Sequence, residues 1–251
     1  MLRENPAMFA TLLALTASLL AAAPAVEPSP AKPPVRVLLV TGVDYPGHLW
    51  KQTAPALRDV LQRDQRLEVR VVDDPGFLAN DEIFQYQVIF VHFKNYDPVK
   101  NEQQAQANLA KFVKQGGGLV YFHFACGAFE KWPEFLQLAG RVYDPKKRGH
   151  DPHGEFAVKI VDPEHPVTRG MKDFTTVDEL YTCLGGEHPI HVLATSKSKV
   201  DGQDYPMAFV FDCGKGRVFH SPLGHDVRAI QQPGVIELMQ RACLWAGGRE
   251  P

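Results

Sequence analysis

Histidines stand at or just after the ends of several apolar, β-branched runs in this 251-residue chain. They are His48, His92, His123, His220 and His225. An imidazole titrates near neutral pH and binds divalent metals, so it can serve as an acid/base group or as a metal ligand. Any one of these residues is also compatible with a structural role in a loop or in the core. Together they predict a polar site built from several imidazoles.

A second candidate is the acidic and phenolic group formed by Asp178, Glu179 and Tyr181. A carboxylate accepts hydrogen bonds from neighbouring hydroxyls or orients an imidazole, and a phenol both donates and accepts, so the group suits a sugar. A solvated turn is the structural alternative. The loop with His150 and His153 is a weaker zinc signal, because the proline between them prevents a regular helix that would align the two rings.

The elements that must position these residues alternate along the chain. Strands are predicted at residues 35–41, 67–72, 86–92, 119–122, 156–161, 190–194, 207–211 and 217–220. Amphipathic helices are predicted after the first strand, over residues 102–115, and over a closing segment at 235–245. A turn with two glycines joins the last two strands as a hairpin. This order predicts an α/β fold with a doubly wound, mostly parallel sheet and helices on both faces.

In such sheets the ligand crevice lies beyond the carboxyl ends of the strands, which is where the histidines fall. His123 is the most informative, because it occupies a strand-to-helix turn whose backbone N–H groups could face a polar oxygen. A nucleophile elbow would occupy this turn, but a histidine there acts as a base or ligand. We expect Cys126, three residues later, to point away from the crevice.

The four cysteines carry no metal signature. They are Cys126, Cys183, Cys213 and Cys243, and without a CxxC pair a zinc ribbon is unsupported. They allow three full disulfide pairings, and the alternative is four small buried side chains. A hydrolase that uses Cys126 as nucleophile is a further hypothesis, but no base stands at a matching spacing.

Composition restricts the compartment and the partners. A net charge of −2, with no block of basic residues, argues against nucleic-acid binding. Residues 1–25 are predicted to be a signal peptide that ends near Ala25, followed by a Pro-rich linker at 26–34 and one domain at 35–248. A transmembrane anchor is the alternative, but the apolar stretch is shorter than the roughly 20 residues that a span prefers. The expected location is periplasmic or secreted, with no transmembrane segment after cleavage. A homo-oligomer is compatible with the sequence.

The chain resembles the trehalose-utilisation (ThuA-like) family over nearly all of the predicted domain. The resemblance rests on the strand before His48, on Gly117-Gly118-Leu119-Val120-Tyr121-Phe122-His123 with Trp132 downstream, on His165-Pro166-Val167-Thr168, on Asp178-Glu179-Leu180-Tyr181, and on Gly216-Arg217-Val218-Phe219 before Leu223-Gly224-His225. It implies a flavodoxin-like fold related to class I glutamine amidotransferases and an association with carbohydrate metabolism. Those amidotransferases have a cysteine where this chain has His123, so a thioester mechanism is disfavoured.

The leading hypothesis is an exported enzyme that acts on a sugar or keto-sugar as an isomerase, lyase or hydrolase. The alternative is a non-catalytic carbohydrate-binding module on the same fold. The assigned catalytic residues are His123, Glu179, Tyr181 and His225, and the substrate-binding residues are His48, Asp178 and Trp132. The assigned metal ligands are His48, His123 and His225, for a divalent ion such as Zn²⁺. The sequence identifies neither the ion nor the sugar.

Overall fold

The apolar runs of the sequence form the central strands of one mixed sheet. A computed structural model describes Met1 and residues 32–251, of which Pro33–Pro251 form one compact unit. The predicted signal peptide after Met1 and most of the predicted linker lie outside the described residues. No helix that the structure describes has both the length and the apolar character needed to cross a membrane.

Eleven strands and five α-helices are described between residues 32 and 251. The strands are β1 Val35–Val40, β2 Leu67–Val72, β3 Val88–Val91, β4 Gly118–Phe122, β5 Val142–Tyr143, β6 Gly154–Ile160, β7 Phe174–Asp178, β8 Leu184–Gly185, β9 His191–Lys197, β10 Asp204–Cys213 and β11 Gly216–Ser221. The helices are α1 Trp50–Leu61, α2 Glu102–Lys114, α3 Phe135–Ala139, α4 Val227–Ile230 and α5 Pro233–Ala246.

The nine-stranded sheet has the order β2-β1-β3-β4-β11-β10-β9-β6-β7, and β5 pairs with β8 separately. Its first five strands pair in parallel, and every pairing from β11 to β7 is antiparallel. The predicted hairpin is the antiparallel β10–β11 pair. The fold class predicted from the sequence is confirmed, with the parallel half formed by the most continuous apolar runs.

Hydrophobic side chains cover both faces of the sheet. Along β1, Val37 and Leu39 face one core, while Leu38 and Val40 face the other. The apolar faces of α1 and α5 pack into the first core and that of α2 packs into the second. This burial on both sides explains why the strand sequences are continuously apolar instead of alternating.

Strand β7 was not predicted from the sequence. It pairs with β6 alone and forms the edge of the sheet, where one side of the strand lacks a partner. Its sequence, Phe174-Thr175-Thr176-Val177-Asp178, has only a weak alternation of buried and exposed positions. The antiparallel steps between β11 and β7 turn the carboxyl end of β7 toward the same edge as the carboxyl ends of the parallel strands. Glu179 therefore leaves the sheet on the side where His123 lies.

Two of the histidines at strand ends belong to the core. His92 is fully buried, and its ring nitrogens lie 3.2 Å and 3.4 Å from the hydroxyls of Thr41 and Thr53. His220 is also fully buried, and its Nδ1–H donates to the carbonyl of Ala139 at 2.8 Å. Neither ring belongs to the cluster described below, so the sequence prediction that placed them on the same functional rim is wrong.

The buried imidazole of His220 is expected to make the fold sensitive to acid. Burial lowers its pKa to about 4, whereas an unfolded histidine titrates near 6.5. The stability that the neutral ring contributes is complete above pH 6.5 and falls between pH 6.5 and 4, by up to about 1.4 kcal/mol per pH unit. Urea unfolding of His220→Gln should show a shallower loss of stability over this range, and His188→Gln is the control. If the free energy of unfolding of His220→Gln depended on pH as steeply as that of the parent protein, His220 would not be the source of the acid sensitivity.

Candidate functional site

A pocket of about 340 Å³ opens at the carboxyl edge of the sheet. It is lined by Tyr45, Pro46, Gly47, His48, Lys94, Phe124, Cys126, Tyr143, Gly149, His150, Glu179, Tyr181, Cys183 and His225. The loop after β1, the segment after β3, the turn after β4 and the segments after β7 and β11 all contribute side chains. This is the position at which α/β sheets bind ligands.

Four side chains from distant parts of the chain converge here: His48, Glu179 and His225 line the pocket, and the fully buried His123 lies behind them. One ligand atom from each of His48, His123, Glu179 and His225 lies within 4.8 Å of all the others. The Nε2 atoms of His48 and His123 are 2.9 Å apart, and Nε2 of His123 lies 3.6 Å from Oε2 of Glu179. The Nδ1 atom of His225 is 3.1 Å from the same carboxylate oxygen. We call these four residues the His₃Glu cluster.

The backbone at the end of β4 aims His123 into the cluster. His123 has a φ of 53°, a left-handed conformation that a non-glycine residue rarely adopts. Its ring is fully buried, and Nδ1–H donates to the carbonyl of Pro222 at 2.8 Å. That bond places the proton on Nδ1 and leaves the lone pair of Nε2 facing His48 and Glu179. A metal-binding histidine is commonly oriented by a hydrogen bond of this kind.

Burial and mutual contacts shift the pKa values of all four cluster residues. Burial lowers the pKa of His48 to about 4 and, together with the charge of His48, lowers that of His123 well below its usual value. The contact with Glu179 raises the pKa of His225. Burial would raise the pKa of Glu179, but the neighbouring His225 outweighs it and lowers that pKa. Two neutral imidazoles thus stand beside a carboxylate and a third, more basic ring.

The arrangement is compatible with a divalent metal site, because one ligand atom from each of the four residues lies within 4.8 Å of the others. Ligand atoms in a tetrahedral zinc site at about 2.0–2.1 Å from the ion are roughly 3.3 Å apart, close to the 2.9 Å, 3.1 Å and 3.6 Å separations here. The buried Nδ1 of His225 makes no properly oriented hydrogen bond with any described residue, although Glu179 is adjacent. Three imidazoles and one carboxylate are ligands that Zn²⁺ accepts.

Asp178 holds the backbone of the cluster residues Glu179 and His225 in place. Its carboxylate is fully buried and accepts hydrogen bonds from the backbone N–H groups of Glu179, Gly224 and His225, at 2.8 Å, 2.6 Å and 3.0 Å. Gly224 has a φ of 104°, and a Cβ atom there would lie 2.0 Å from the ring of Phe122. Both oxygens are engaged by backbone N–H groups and Asp178 is not part of the pocket lining, whereas the sequence assigned it to substrate binding.

Replacing Asp178 by asparagine should disturb metal binding indirectly. The amide would turn an N–H group toward backbone donors, at an expected cost of about 2 kcal/mol in the free energy of unfolding. Because His225 would lose its support, zinc affinity should fall about 10- to 100-fold, as for other residues behind metal ligands. Urea unfolding and competition with a zinc-binding dye measure the two effects. A higher KM with unchanged stability and zinc affinity would instead indicate substrate binding.

Tyr181 completes the inner wall of the pocket. Its hydroxyl lies 3.0 Å from Nε2 of His123 and 3.3 Å from Nε2 of His48. Burial raises its pKa well above the usual value, so the phenol keeps its proton. His150 approaches from the other side, with Nε2 3.4 Å from Oε1 of Glu179. His153 lies farther out and pairs with Asp226 at 3.7 Å.

The structure places two other sequence candidates differently from expectation. Trp132, assigned to substrate binding from the sequence, packs against Phe129 and Phe135 and lines a separate groove with Leu138 instead of this pocket. Cys126 lines the pocket, contrary to the prediction that it points away. Burial raises the pKa of its thiol, which disfavours the thiolate that a cysteine hydrolase needs. All four cysteines are free thiols.

Comparison with known proteins assigns the family. Residues 36–246 match the family model described as ThuA, trehalose utilisation. The chain belongs to the ThuA family. A ThuA-like protein from Parabacteroides merdae has 27% sequence identity and a TM-score of 0.75, covering 86% of this chain and 91% of that one. One from Bacteroides uniformis has 20% identity and a TM-score of 0.70, covering 87% and 94%.

More distant similarity extends to the amidotransferase-like fold. A Thermoplasma acidophilum protein described as a GMP synthase subunit has 10% identity and a TM-score of 0.52, covering 85% of this chain and 94% of that one. At that identity the likeness concerns the fold alone. No curated protein matches the chain. Membership in the ThuA family relates the chain to trehalose utilisation and carbohydrate metabolism.

Proposed function

We propose that this chain is an exported, metal-assisted enzyme that acts on a sugar or keto-sugar. The observation that carries the proposal is the His₃Glu cluster, whose four ligand atoms lie within 4.8 Å of one another at the pocket. Stable folding does not require three imidazoles and a carboxylate to converge at the crevice of the sheet. Their convergence at the ligand-binding edge, in a family related to trehalose utilisation, supports carbohydrate chemistry.

The cluster and its neighbours would have different roles in such a reaction. His48, His123, Glu179 and His225 would hold the ion. A bound Zn²⁺ would polarise a carbonyl or hydroxyl oxygen of the sugar. Tyr181, protonated because it is buried, would donate a hydrogen bond to that oxygen.

His150 is suited to move a proton. It is the one imidazole outside the cluster among the described residues that line the pocket. Its Nδ1–H donates to the carbonyl of Asp151 at 2.7 Å, and its Nε2, which lies 3.4 Å from Oε1 of Glu179, would exchange protons with the substrate. Proton abstraction beside a carbonyl, as in isomerisation or elimination, needs such a base together with an electrophile.

The dimensions and lining of the pocket support a sugar ligand. A volume of about 340 Å³ lies at the lower end of the range of about 300–1,000 Å³ for small-molecule sites. Aromatic side chains, including Tyr45, Phe124 and Tyr143, alternate with polar groups around it. Such walls combine apolar surface for sugar C–H groups with donors and acceptors for hydroxyls.

Export is part of the proposal and rests on the sequence of residues 1–25. Amino-terminal sequencing of protein recovered from the periplasm or medium of an expressing bacterium should show cleavage near Ala25. An intact amino terminus retained in the cytoplasm would contradict this part.

The function is tested by loading the metal-free protein with Zn²⁺, Mn²⁺ or Mg²⁺ and incubating it with neutral sugars and keto-sugars. Mass spectrometry should detect a product that depends on the ion and is lost in Glu179→Ala but kept in the surface control Glu164→Ala. Sugar binding without a product under any ion would favour the non-catalytic carbohydrate-binding module. Equal turnover by Glu179→Ala and the parent protein would overturn the site assignment.

A further inference from the structure

Lys94 is a buried cation in the wall of the pocket. It has no part in the metal binding and proton transfer proposed above. It follows β3 by three residues and is 5% exposed. Three phenol rings surround its ammonium group, with Nζ 3.9 Å from the ring centre of Tyr143, 5.2 Å from that of Tyr96 and 5.4 Å from that of Tyr45. Cation–π contacts of this kind partly replace the lost hydration of an ammonium ion.

This ammonium has no carboxylate partner. Within residues 32–251, no aspartate or glutamate oxygen lies within 4.0 Å of Lys94 Nζ. A buried charge is normally paired, because the aromatic rings compensate only part of its desolvation. The missing counter-charge can be supplied by a ligand that enters the pocket.

The surrounding chain is shaped to hold this lysine in place. A Cβ atom at Gly127 would lie 2.6 Å from Cδ and 2.9 Å from Cε of Lys94, so the aliphatic stem passes directly over the glycine backbone. Gly127 ends the 3-10 turn that begins at His123. The turn that presents His123 thus also leaves room for the lysine stem, and Lys94 lines the same pocket as the cluster residues Glu179 and His225.

We propose that Lys94 binds a carboxylate of the substrate, so that the substrate is an acidic sugar. Lys94 is the sole Lys or Arg among the described residues that line the pocket. One ammonium matches the single charge of a carboxylate, whereas the doubly charged phosphate would be left with excess charge, because no second Lys or Arg is among the described residues of the lining. In such a substrate the carboxylate pairs with Lys94, and the hydroxyl or carbonyl groups face the His₃Glu cluster. This inference rests on the proposed carbohydrate function and adds the class of sugar.

The test compares acidic sugars with neutral sugars of the same ring structure. Isothermal titration of the zinc-loaded protein with D-glucuronate and D-glucose, and with D-galacturonate and D-galactose, isolates the effect of one carboxylate. We expect at least one acid to bind at least 10-fold more tightly than its neutral partner. Lys94→Met should remove that preference while changing the affinity for the neutral sugar less than 2-fold. The control Lys159→Met removes an exposed charge on β6 and should keep the preference.

Zinc affinity, measured on the same samples, separates the two proposals. Equal binding of acidic and neutral sugars, binding of neither acid, or a preference that survives Lys94→Met would overturn the role of Lys94. If zinc and a neutral sugar still bind in those cases, the proposed function stands. Loss of zinc and sugar binding in the parent protein would overturn both. If Lys94→Met does not fold, as judged by circular dichroism, Lys94→Gln is subject to the same criteria.

Discussion

Replacing His123 by alanine is expected to remove tight zinc binding and, with it, turnover. The imidazole is the most constrained member of the His₃Glu cluster, because the carbonyl of Pro222 fixes its Nδ1 proton and the left-handed backbone fixes its direction. Loss of this ligand should weaken zinc binding by more than about 100-fold, beyond the 10- to 100-fold typical of residues behind the ligands. Dye competition measures the affinity, and metal analysis after dialysis measures the retained ion.

The control for this variant is His92→Ala. His92 lies beside Phe124, with ring centres 5.2 Å apart, but contacts Thr41 and Thr53 instead of the cluster. Its replacement is expected to lower stability while leaving one equivalent of zinc bound. Equal zinc affinity in the His123→Ala and parent proteins would show that the cluster is not the metal site.

Replacing Tyr181 by phenylalanine is expected to separate turnover from metal binding. The variant keeps the aromatic ring but loses the hydroxyl that lies 3.0 Å from Nε2 of His123. If the phenol donates to an oxygen that gains negative charge in the reaction, kcat should fall about 100- to 1,000-fold, as when one oxyanion donor is removed elsewhere. Zinc affinity should change little, because the Tyr181 hydroxyl is not one of the four proposed zinc ligands.

The matched control is Tyr205→Phe, which removes a phenol that donates to Asp201 on an exposed surface. It should leave kcat and zinc affinity unchanged. A Tyr181→Phe variant with normal kcat would limit Tyr181 to packing. A parallel fall in zinc affinity and kcat would instead make it part of the metal site.

The residues that follow the predicted strands gave the best prediction of the site. His48, His123 and His225 could be placed near one another because each follows a strand whose carboxyl end meets the same edge of the sheet. The same rule would have found Lys94, which lies three residues beyond β3, but a lysine in a loop is usually solvated and gave no separate signal. His92 fitted the rule and still belongs to the core, because adjacent positions at a strand end face opposite sides.

The directions of the Asp178 and Glu179 side chains could not be predicted from their positions in the sequence. Glu179 and Asp178 are neighbours in sequence, yet one faces the pocket and the other binds three backbone N–H groups behind it. Their direction depends on β7, an edge strand with too weak an alternation to be recognised. Trp132 was assigned to substrate binding, but it packs against Phe129 and Phe135 and lines a different groove.

His123 also explains how an amidotransferase-like fold can support different chemistry. A nucleophile at this turn would require a thiol or hydroxyl aimed from the same strained backbone position. Here the position carries an imidazole whose lone pair faces two more imidazoles and a carboxylate. The nearby Cys126 is kept protonated by burial, so it does not replace the missing nucleophile.

X-ray absorption at the zinc edge, on protein loaded with one equivalent of Zn²⁺, tests the His₃Glu assignment most directly. We expect a first shell of nitrogen and oxygen atoms at about 2.0–2.1 Å, with imidazole scattering and no sulfur. Cys126 and Cys183 line the same pocket, so a thiolate site is the concrete rival. A sulfur shell near 2.3 Å, or an ion that dialysis removes completely, would show that the His₃Glu cluster is not the metal site.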